Sequence, residues 1–161
     1  MMQETSMPGA LLAAAGYWLS FRLDGGRYAV PLAQVSEVIR VGDLTAVPGA
    51  AHDLLGVRHL RGQIVAVLDG GRRLGLPGSP HDDDAPHARI IVMVFGNQWV
   101  GLRVDAVGEL LLASADALAE PPPGRPVRAD DPVRGVLAWQ GDFIALLDVR
   151  KLCRLPEAAA A

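Results

Sequence analysis

The sequence is poor in the features of secreted, membrane-spanning and nucleic-acid-binding proteins. Its single cysteine, Cys153, excludes an intramolecular disulfide and is typical of a reducing compartment. No apolar run approaches the length of a membrane span, and no Lys or Arg precedes Arg22 to form the charged start of a signal peptide. The formal net charge of −3 provides no basic field for nucleic acid. We therefore expect a cytoplasmic protein without direct membrane insertion and without a nucleic-acid partner.

Motifs of catalysis and metal binding are also absent from the sequence. No serine or cysteine lies in a nucleophile-elbow context, and no glycine-rich loop between a strand and a helix is suited to hold a phosphate. His81 and His87 flank three aspartates without a fixed ligand spacing, which favours a solvated acidic loop. Asp69 and Asp148 end predicted strands, where capping of backbone N–H groups is a better interpretation than a catalytic carboxylate pair. We predict no catalytic residue, no metal and no cofactor.

A hairpin pattern is present, and it occurs twice. Residues 56–69 read GVRHLRGQIVAVLD, and apolar β-branched residues on either side of Gly62 predict two strands joined by a tight turn. Residues 135–148 read GVLAWQGDFIALLD and match this stretch without a gap. Arg61, which we place last before the turn, is replaced by Gln140 in the second copy. Because a shared scaffold does not need this arginine, it is either an ordinary surface charge or a recognition residue.

A weaker repeat precedes each hairpin, so the chain consists of two related halves. Residues 27–39 resemble residues 98–111, and each segment contains Val-x-Glu followed by aliphatic residues. Internal similarity of this kind is evidence about architecture, and about ten short predicted strands favour small barrels over an α/β fold. The eight aromatic residues all lie in predicted hairpins, which indicates core and inter-strand packing rather than base stacking.

These segments together carry a resemblance to a known family. From about Tyr17 to Leu155 the chain resembles CheW-like domains, the coupling modules of bacterial chemosensory arrays. The resemblance implies an all-β fold of two intertwined, SH3-like five-stranded β-barrel subdomains, with a hydrophobic groove between them and a short C-terminal helix. We accordingly expect one domain over residues 17–155 between flexible tails at residues 1–16 and 156–161. The matching landmarks, in the family's order, are FRLDGGRYAVPLAQVSEVI, the AVP of the connector, GVRHLRGQIVAVLD, VGLRVDAVGEL and GVLAWQGDFIALLDVRKL.

The resemblance further implies a function without catalysis. Proteins of this family bridge the cytoplasmic tip of a chemoreceptor to the CheW-like regulatory domain of a CheA-type histidine kinase, so we expect recruitment to membrane-associated receptor arrays. Three groups of residues match the family's partner-binding and signalling positions, and one further candidate departs from the pattern. Glu37, Gly56, Arg61 and Gly62 match binding and turn positions, Val35 and Val38 match apolar positions near the kinase-facing surface, Gly101 and Val107 match positions tied to signalling competence, and His59 stands where the family usually has asparagine.

Two alternatives stay open at this point. The first is a free-standing regulatory module of a pilus-motility or surface-sensing pathway, which binds another CheW-like domain but no receptor. The second is a small barrel that binds a ligand or an oligonucleotide. A basic face rich in aromatic residues would favour this second alternative, and the sequence does not show one.

Overall fold

The computed structural model describes residues 16–76, 85–113, 118–119 and 131–154. Within these ranges, short turns connect antiparallel strands, as alternating apolar residues interrupted by glycine predict. Two short helices, α1 (Gly70–Arg73) and α2 (Val149–Leu152), and one 3-10 turn (Leu32–Gln34) complete the fold. The strands are β1 (Tyr17–Leu23), β2 (Gly26–Pro31), β3 (Val35–Arg40), β4 (Leu54–Leu60), β5 (Gln63–Asp69), β6 (Arg89–Phe95), β7 (Gln98–Val104), β8 (Ala106–Leu112), β9 (Leu118–Ala119), β10 (Val133–Trp139) and β11 (Asp142–Leu147).

The strands form two mixed sheets that exchange one strand in each direction. One sheet, here called the β1 sheet, has the order β8-β1-β2-β11-β10-β9, and the other, the β6 sheet, has the order β3-β6-β7-β5-β4. The two copies of the repeated hairpin lie in different sheets, and each joins its neighbouring hairpin through a parallel pair, β11 with β2 and β5 with β7. β3 follows β2 in the chain but pairs with β6, whereas β8 follows β7 but pairs with β1. The predicted all-β fold of two intertwined barrels is therefore confirmed.

The described residues form three apolar clusters, one within each sheet and a larger one between the two sheets. We call the last of these the central cluster. In β6, Ile90 and Val92 point into the cluster of their own sheet, whereas Ile91 and Met93 point into the central cluster. The strand is thus buried on both faces. Double burial explains why its sequence, RIIVMVF, is a continuous apolar run and does not alternate.

The turns of the two repeated hairpins share one backbone conformation. Arg61 and Gly62 have φ values of 53° and 81°, and Gln140 and Gly141 have values of 51° and 80°. Positive φ at both central residues defines the type I′ turn, which matches the twist of the flanking strands. β4 ends at Leu60, so the prediction that Arg61 is the last residue before the turn is wrong by one position. Arg61 is instead the first central residue of the turn.

Both short helices begin at an aspartate that caps them. Asp69 Oδ1 accepts hydrogen bonds from the backbone N–H groups of Gly71 at 3.0 Å and Arg72 at 3.4 Å. Asp148 Oδ1 accepts one from the N–H of Lys151 at 3.2 Å. These bonds satisfy donors at the helix start that would otherwise lack partners. The capping interpretation of both aspartates is confirmed.

Two aromatic residues depart from the predicted role in core packing. Phe21 and Trp18 are buried, but Tyr17 is 38% exposed and Phe143 is 67% exposed. Phe143 is the second residue of β11, next to the hairpin tip, and burial in this strand starts only at Ile144. The prediction of core packing is therefore wrong for Tyr17 and Phe143, because their places in hairpins did not reveal their distance from the core.

Several predictions concern residues outside the described ranges. They include the predicted tail at 1–16, except for its last residue, the first four residues of the acidic loop from His81 to His87, and the predicted C-terminal tail at 156–161. The domain boundaries at 17 and 155 stay predictions. Among the described residues, none of the helices has the length and apolar character needed to cross a membrane.

Candidate partner-binding site

The β4–β5 turn and the edge strand β3 bring together two of the predicted site residues. Arg61 Nε lies 3.3 Å from Glu37 Oε2, and Arg61 Nη2 donates a hydrogen bond to Glu37 Oε1 at 3.4 Å. Two guanidinium nitrogens thus face two carboxylate oxygens, the bidentate arrangement that a planar arginine favours. The Arg61 side chain is nonetheless 74% exposed. An exposed pair contributes little to folding, and the arginine is accessible to a partner.

A β-bulge in β3 directs its side chains to different sides of the β6 sheet. Val35 lies opposite Met93 and Val38 opposite Ile91, with a register shift between Val35 and Glu37. Met93 and Ile91 belong to the central cluster, and residues directly opposite each other in a ladder share a face. Val35 and Val38 therefore lie on the side of the central cluster. Val35 packs against that cluster, whereas Val38 is 39% exposed at the edge of the sheet.

The edge strand of the β1 sheet, β8, presents a larger apolar surface. Val107 lies opposite Phe21 and Leu110 opposite Leu19, and both partners belong to the central cluster. Leu110 and Leu112 are 51% and 60% exposed. The family resemblance points to Val107 but not to these two leucines. Apolar side chains on an exposed edge are unusual, because edges are normally protected by charge or by short strands.

The internal repeat contains the signal that would have found the leucines. Superimposing the two Val-x-Glu motifs matches Val35 with Val107 and Val38 with Leu110. In the structure both members of each pair lie on an edge strand and face the side of the central cluster. The candidate apolar position Val38 therefore has a counterpart in the second half of the chain.

The three candidate glycines each have a structural reason. Gly62 has positive φ in the type I′ turn. Gly56 has a φ of 157°, and a Cβ there would lie 2.6 Å from the carbonyl oxygen of Thr45. A Cβ at Gly101 would lie 2.6 Å from Ile90 Cγ2 inside the β6 sheet. These residues shape the backbone around the site, and a direct role in partner binding stays a prediction.

His59 lies on the exposed side of the same hairpin as Arg61. Its cross-strand partner is Ile64, which is 63% exposed. His59 was predictable as a candidate from the family resemblance, whereas Ile64 was not. The equivalent residue of the second hairpin is Phe143, which is likewise exposed. Both hairpins thus carry a large apolar side chain close to their tips.

Nucleophilic chemistry has no support in the described residues. Burial raises the pKa of the Cys153 thiol to about 12, although the nearby Arg73 guanidinium opposes the shift. A thiol that stays protonated at neutral pH is a poor nucleophile and a poor metal ligand. Cys153 is fully buried next to the end of α2, the environment of a packed structural cysteine. No cluster of three or more His, Cys, Asp or Glu side chains suited to a metal ion occurs among the described residues.

Comparison with known proteins gives consistent matches over most of the chain. The family model of the CheW-like domain matches residues 18–157. A probable chemotaxis protein CheW of Rhizobium etli is 32% identical over 146 residues, which cover 89% of this chain and 90% of the relative. Protein FrzA of Myxococcus xanthus is 33% identical over 142 residues, covering 82% and 81%. The crystal structure of the scaffolding protein TtCheW from Thermoanaerobacter tengcongensis superposes with a TM-score of 0.75 at 26% identity, covering 85% of this chain and 91% of that one.

Proposed function

Because the chain belongs to the family of CheW-like domains, and is therefore a non-enzymatic adaptor that couples chemoreceptors to a CheA-type histidine kinase, we propose that two separate surfaces bind the two partners. Family membership sets aside the alternative of a barrel for small ligands or oligonucleotides. The protein acts in the cytoplasm and is recruited to receptor arrays by these contacts.

The first surface, the hairpin rim, consists of Glu37, His59, Arg61 and Ile64, and we assign it to the cytoplasmic tip of the receptor. The bidentate contact with Glu37 holds the Arg61 guanidinium in one orientation. A side chain that is already oriented loses less conformational entropy on binding. His59 and Ile64 lie opposite each other on the same hairpin and extend this surface with a polar and an apolar group.

The second surface, the edge-strand surface, consists of Val35 and Val38 on β3 and Val107 on β8. We assign the β3 part to the regulatory domain of the kinase and the β8 part to the transmission of signalling state. Val38 is exposed at the edge of its sheet, while Val35 and Val107 are half-buried beside the central cluster. An exposed apolar residue on a sheet edge favours contact with another sheet-based domain. Gly56 and Gly101 support these surfaces, since a Cβ at either position would overlap a neighbouring strand or loop, and Gly62 supports the hairpin rim through its positive φ in the turn.

The exposed Arg61 at a turn whose duplicate carries Gln140 is the observation that supports the receptor assignment. Replacing Arg61 by alanine should weaken receptor-tip binding by about 1–3 kcal/mol, as truncation of an interface arginine does. The free energy of unfolding should change by no more than about 0.5 kcal/mol, because the residue is exposed. Gln140→Ala is the matched control, and it should leave both quantities unchanged. Calorimetric titration with receptor tip, together with thermal unfolding, measures them.

A second comparison separates the two surfaces. Val38→Ala should weaken binding of the kinase regulatory domain and leave receptor binding intact, whereas Arg61→Ala should do the reverse. Arg61→Lys should restore only part of the receptor affinity, because an ammonium group does not reproduce the planar guanidinium. If each variant lost affinity for both partners to the same extent, the proposal of two separate surfaces would be contradicted. An Arg61→Ala protein that unfolds, while its folded fraction binds normally, would make Arg61 a structural residue.

A further inference from the structure

Two arginines face each other at the end of β3, and no described carboxylate pairs with either. Arg40 lies directly opposite Arg89 in the β3–β6 ladder, and like charges in that position destabilise a sheet. In the described part of the chain, no carboxylate lies within ion-pair distance of either guanidinium. Arg89 Nη1 donates to the backbone carbonyls of Pro86 at 3.0 Å and Ala88 at 2.7 Å. These bonds orient Arg89 but do not neutralise its charge.

A third arginine adds positive charge at the same place. Arg58 reaches across from β4, and its Nη1 donates to the carbonyl oxygens of Arg40 at 2.6 Å and Val41 at 2.7 Å. A Cβ at Gly42 would lie 2.9 Å from this nitrogen, so the glycine leaves room for the guanidinium. Three cationic side chains are therefore held near one end of the edge strand.

The other half of the molecule contains a comparable arginine pair that is neutralised. Arg22 lies opposite Arg27 in the β1–β2 ladder. Arg27 Nη2, however, donates to Glu109 Oε1 at 3.0 Å. The same chain thus compensates one cross-strand arginine pair with its own glutamate and leaves the other pair without such a partner among the described residues.

We infer that Arg40 and Arg89 bind an acidic segment of the kinase regulatory domain, next to the contact that Val38 makes. Arg40 and Val38 are two positions apart on β3 and share a face, so positive charge and exposed apolar surface adjoin each other. This combination fits a protein surface with a carboxylate beside an apolar side chain better than a free inorganic anion, which gains nothing from Val38. The inference rests on the assignment of the edge-strand surface to the kinase.

Charge reversal at Arg40 tests the inference because folding and binding should respond in opposite directions. Arg40→Glu places a carboxylate opposite Arg89, so the free energy of unfolding should stay the same or rise. The dissociation constant of the kinase regulatory domain should rise by about tenfold or more, because association becomes slower. The remaining binding should also depend less on salt concentration. The matched control is Arg22→Glu, another exposed arginine opposite an arginine, and it should leave the dissociation constant of the kinase domain unchanged.

The outcomes distinguish this inference from the proposed function. If Val38→Ala weakens kinase binding and Arg40→Glu does not, the acidic contact is refuted and the edge-strand surface stands. If the unaltered protein fails to bind the kinase domain, both are refuted. A lower stability of Arg40→Glu would show that a carboxylate of the chain itself already neutralises the pair, and this result would also overturn the inference.

Discussion

In both halves of the chain a glutamate on an edge strand forms an ion pair with an arginine, but the arginine differs in origin and exposure. Glu37 on β3 pairs with Arg61 from a hairpin turn, and that arginine is 74% exposed. Glu109 on β8 pairs with Arg27 from the interior of β2, whose side chain is only 14% exposed. The second pair is therefore part of the sheet, whereas the first presents its cation to solvent.

The comparison distinguishes the features that both halves need for the same fold from the positions at which they can differ. The backbone of the two turns is the same within a few degrees, although one contains Arg61 and the other Gln140. The tip of the second hairpin carries Gln140 and so provides no cation. Glu109 instead accepts a hydrogen bond from Arg27 of its own sheet. One barrel thus offers an oriented cation at its hairpin rim and the other does not.

The largest expected difference in stability between the halves concerns substitutions at their buried small residues. Gly101 neighbours Val67 in the β5–β7 pair, and Ala29 takes the equivalent place beside Leu146 in the β11–β2 pair. Gly101→Ala should cost about 1–3 kcal/mol, because the new methyl group would overlap Ile90. Ala29→Gly should cost about 1 kcal/mol through a lost buried methyl group and added backbone entropy. Denaturant unfolding measures both, and a neutral Gly101→Ala would show that the β6 sheet expands readily.

A second difference concerns sensitivity to alkaline pH. The C-cap residue of α2 is Cys153, whereas that of α1 is Leu74, which does not titrate. Because the folded-state pKa of Cys153 is about 12 against an ordinary value of 9.0, the unfolded chain loses its thiol proton first as pH rises. The contribution of the buried thiol to the free energy of unfolding is then fully present below pH 9. It declines towards pH 12, by about 1.4 kcal/mol per pH unit. The decline should disappear in Cys153→Ala, when unfolding is followed at pH 8 and 10. An equal slope in both proteins would assign it to another group.

The two turns offer a third test, in which stability and binding separate. Arg61→Asn and Gln140→Asn should each stabilise the protein by about 0.5–1 kcal/mol, because asparagine tolerates the positive φ of a type I′ turn better. Only Arg61→Asn should lose affinity for the receptor tip. Thermal unfolding and titration of both variants check this. A gain in stability at Gln140 alone would mean that the contact with Glu37 already offsets the strain at Arg61.

The smallest expected effects belong to the two glutamates. Glu109→Gln should reduce stability by no more than about 1 kcal/mol, since the pair is only partly shielded from solvent. Glu37→Gln should change stability by about 0.5 kcal/mol or less and should weaken receptor binding by freeing Arg61. Parallel unfolding and binding measurements distinguish the two. If Glu109→Gln lost as much affinity for the receptor tip as Glu37→Gln, the two halves would not differ in receptor binding.

Local patterns in the sequence predicted a large part of the fold. The hairpins around Gly62 and Gly141, the aspartate caps and the division into two halves follow from interactions between residues close in the chain, or from direct repetition. The exposure of Phe143 was not predictable in this way. A strand's alternation shows which residues share a face, but not how far along the strand the neighbouring sheet extends.

The candidate site was predicted only in part. The resemblance to CheW-like domains supplied Glu37 and Arg61, but neither their pairing nor the exposure of Leu110 and Leu112 follows from local spacing. Arg40 was not selected at all, because a single arginine in an edge strand is an ordinary surface charge until its opposite residue is known. Residues that lie opposite each other on two strands can be far apart in the chain, and the register of the strands determines which residues pair.

The amino-acid sequence by itself determined the duplicated hairpins, the positions of their turns and the apolar runs of the strands buried on both faces. Local backbone preferences and the apolar area of each segment act before any partner strand is present. Only the tertiary structure decided that β3 and β8 exchange sheets, that Glu37 meets Arg61 while Glu109 meets Arg27, and that Arg40 faces Arg89. These arrangements depend on contacts between residues distant in the chain, whose free energies exist only once the two sheets have closed around the central cluster.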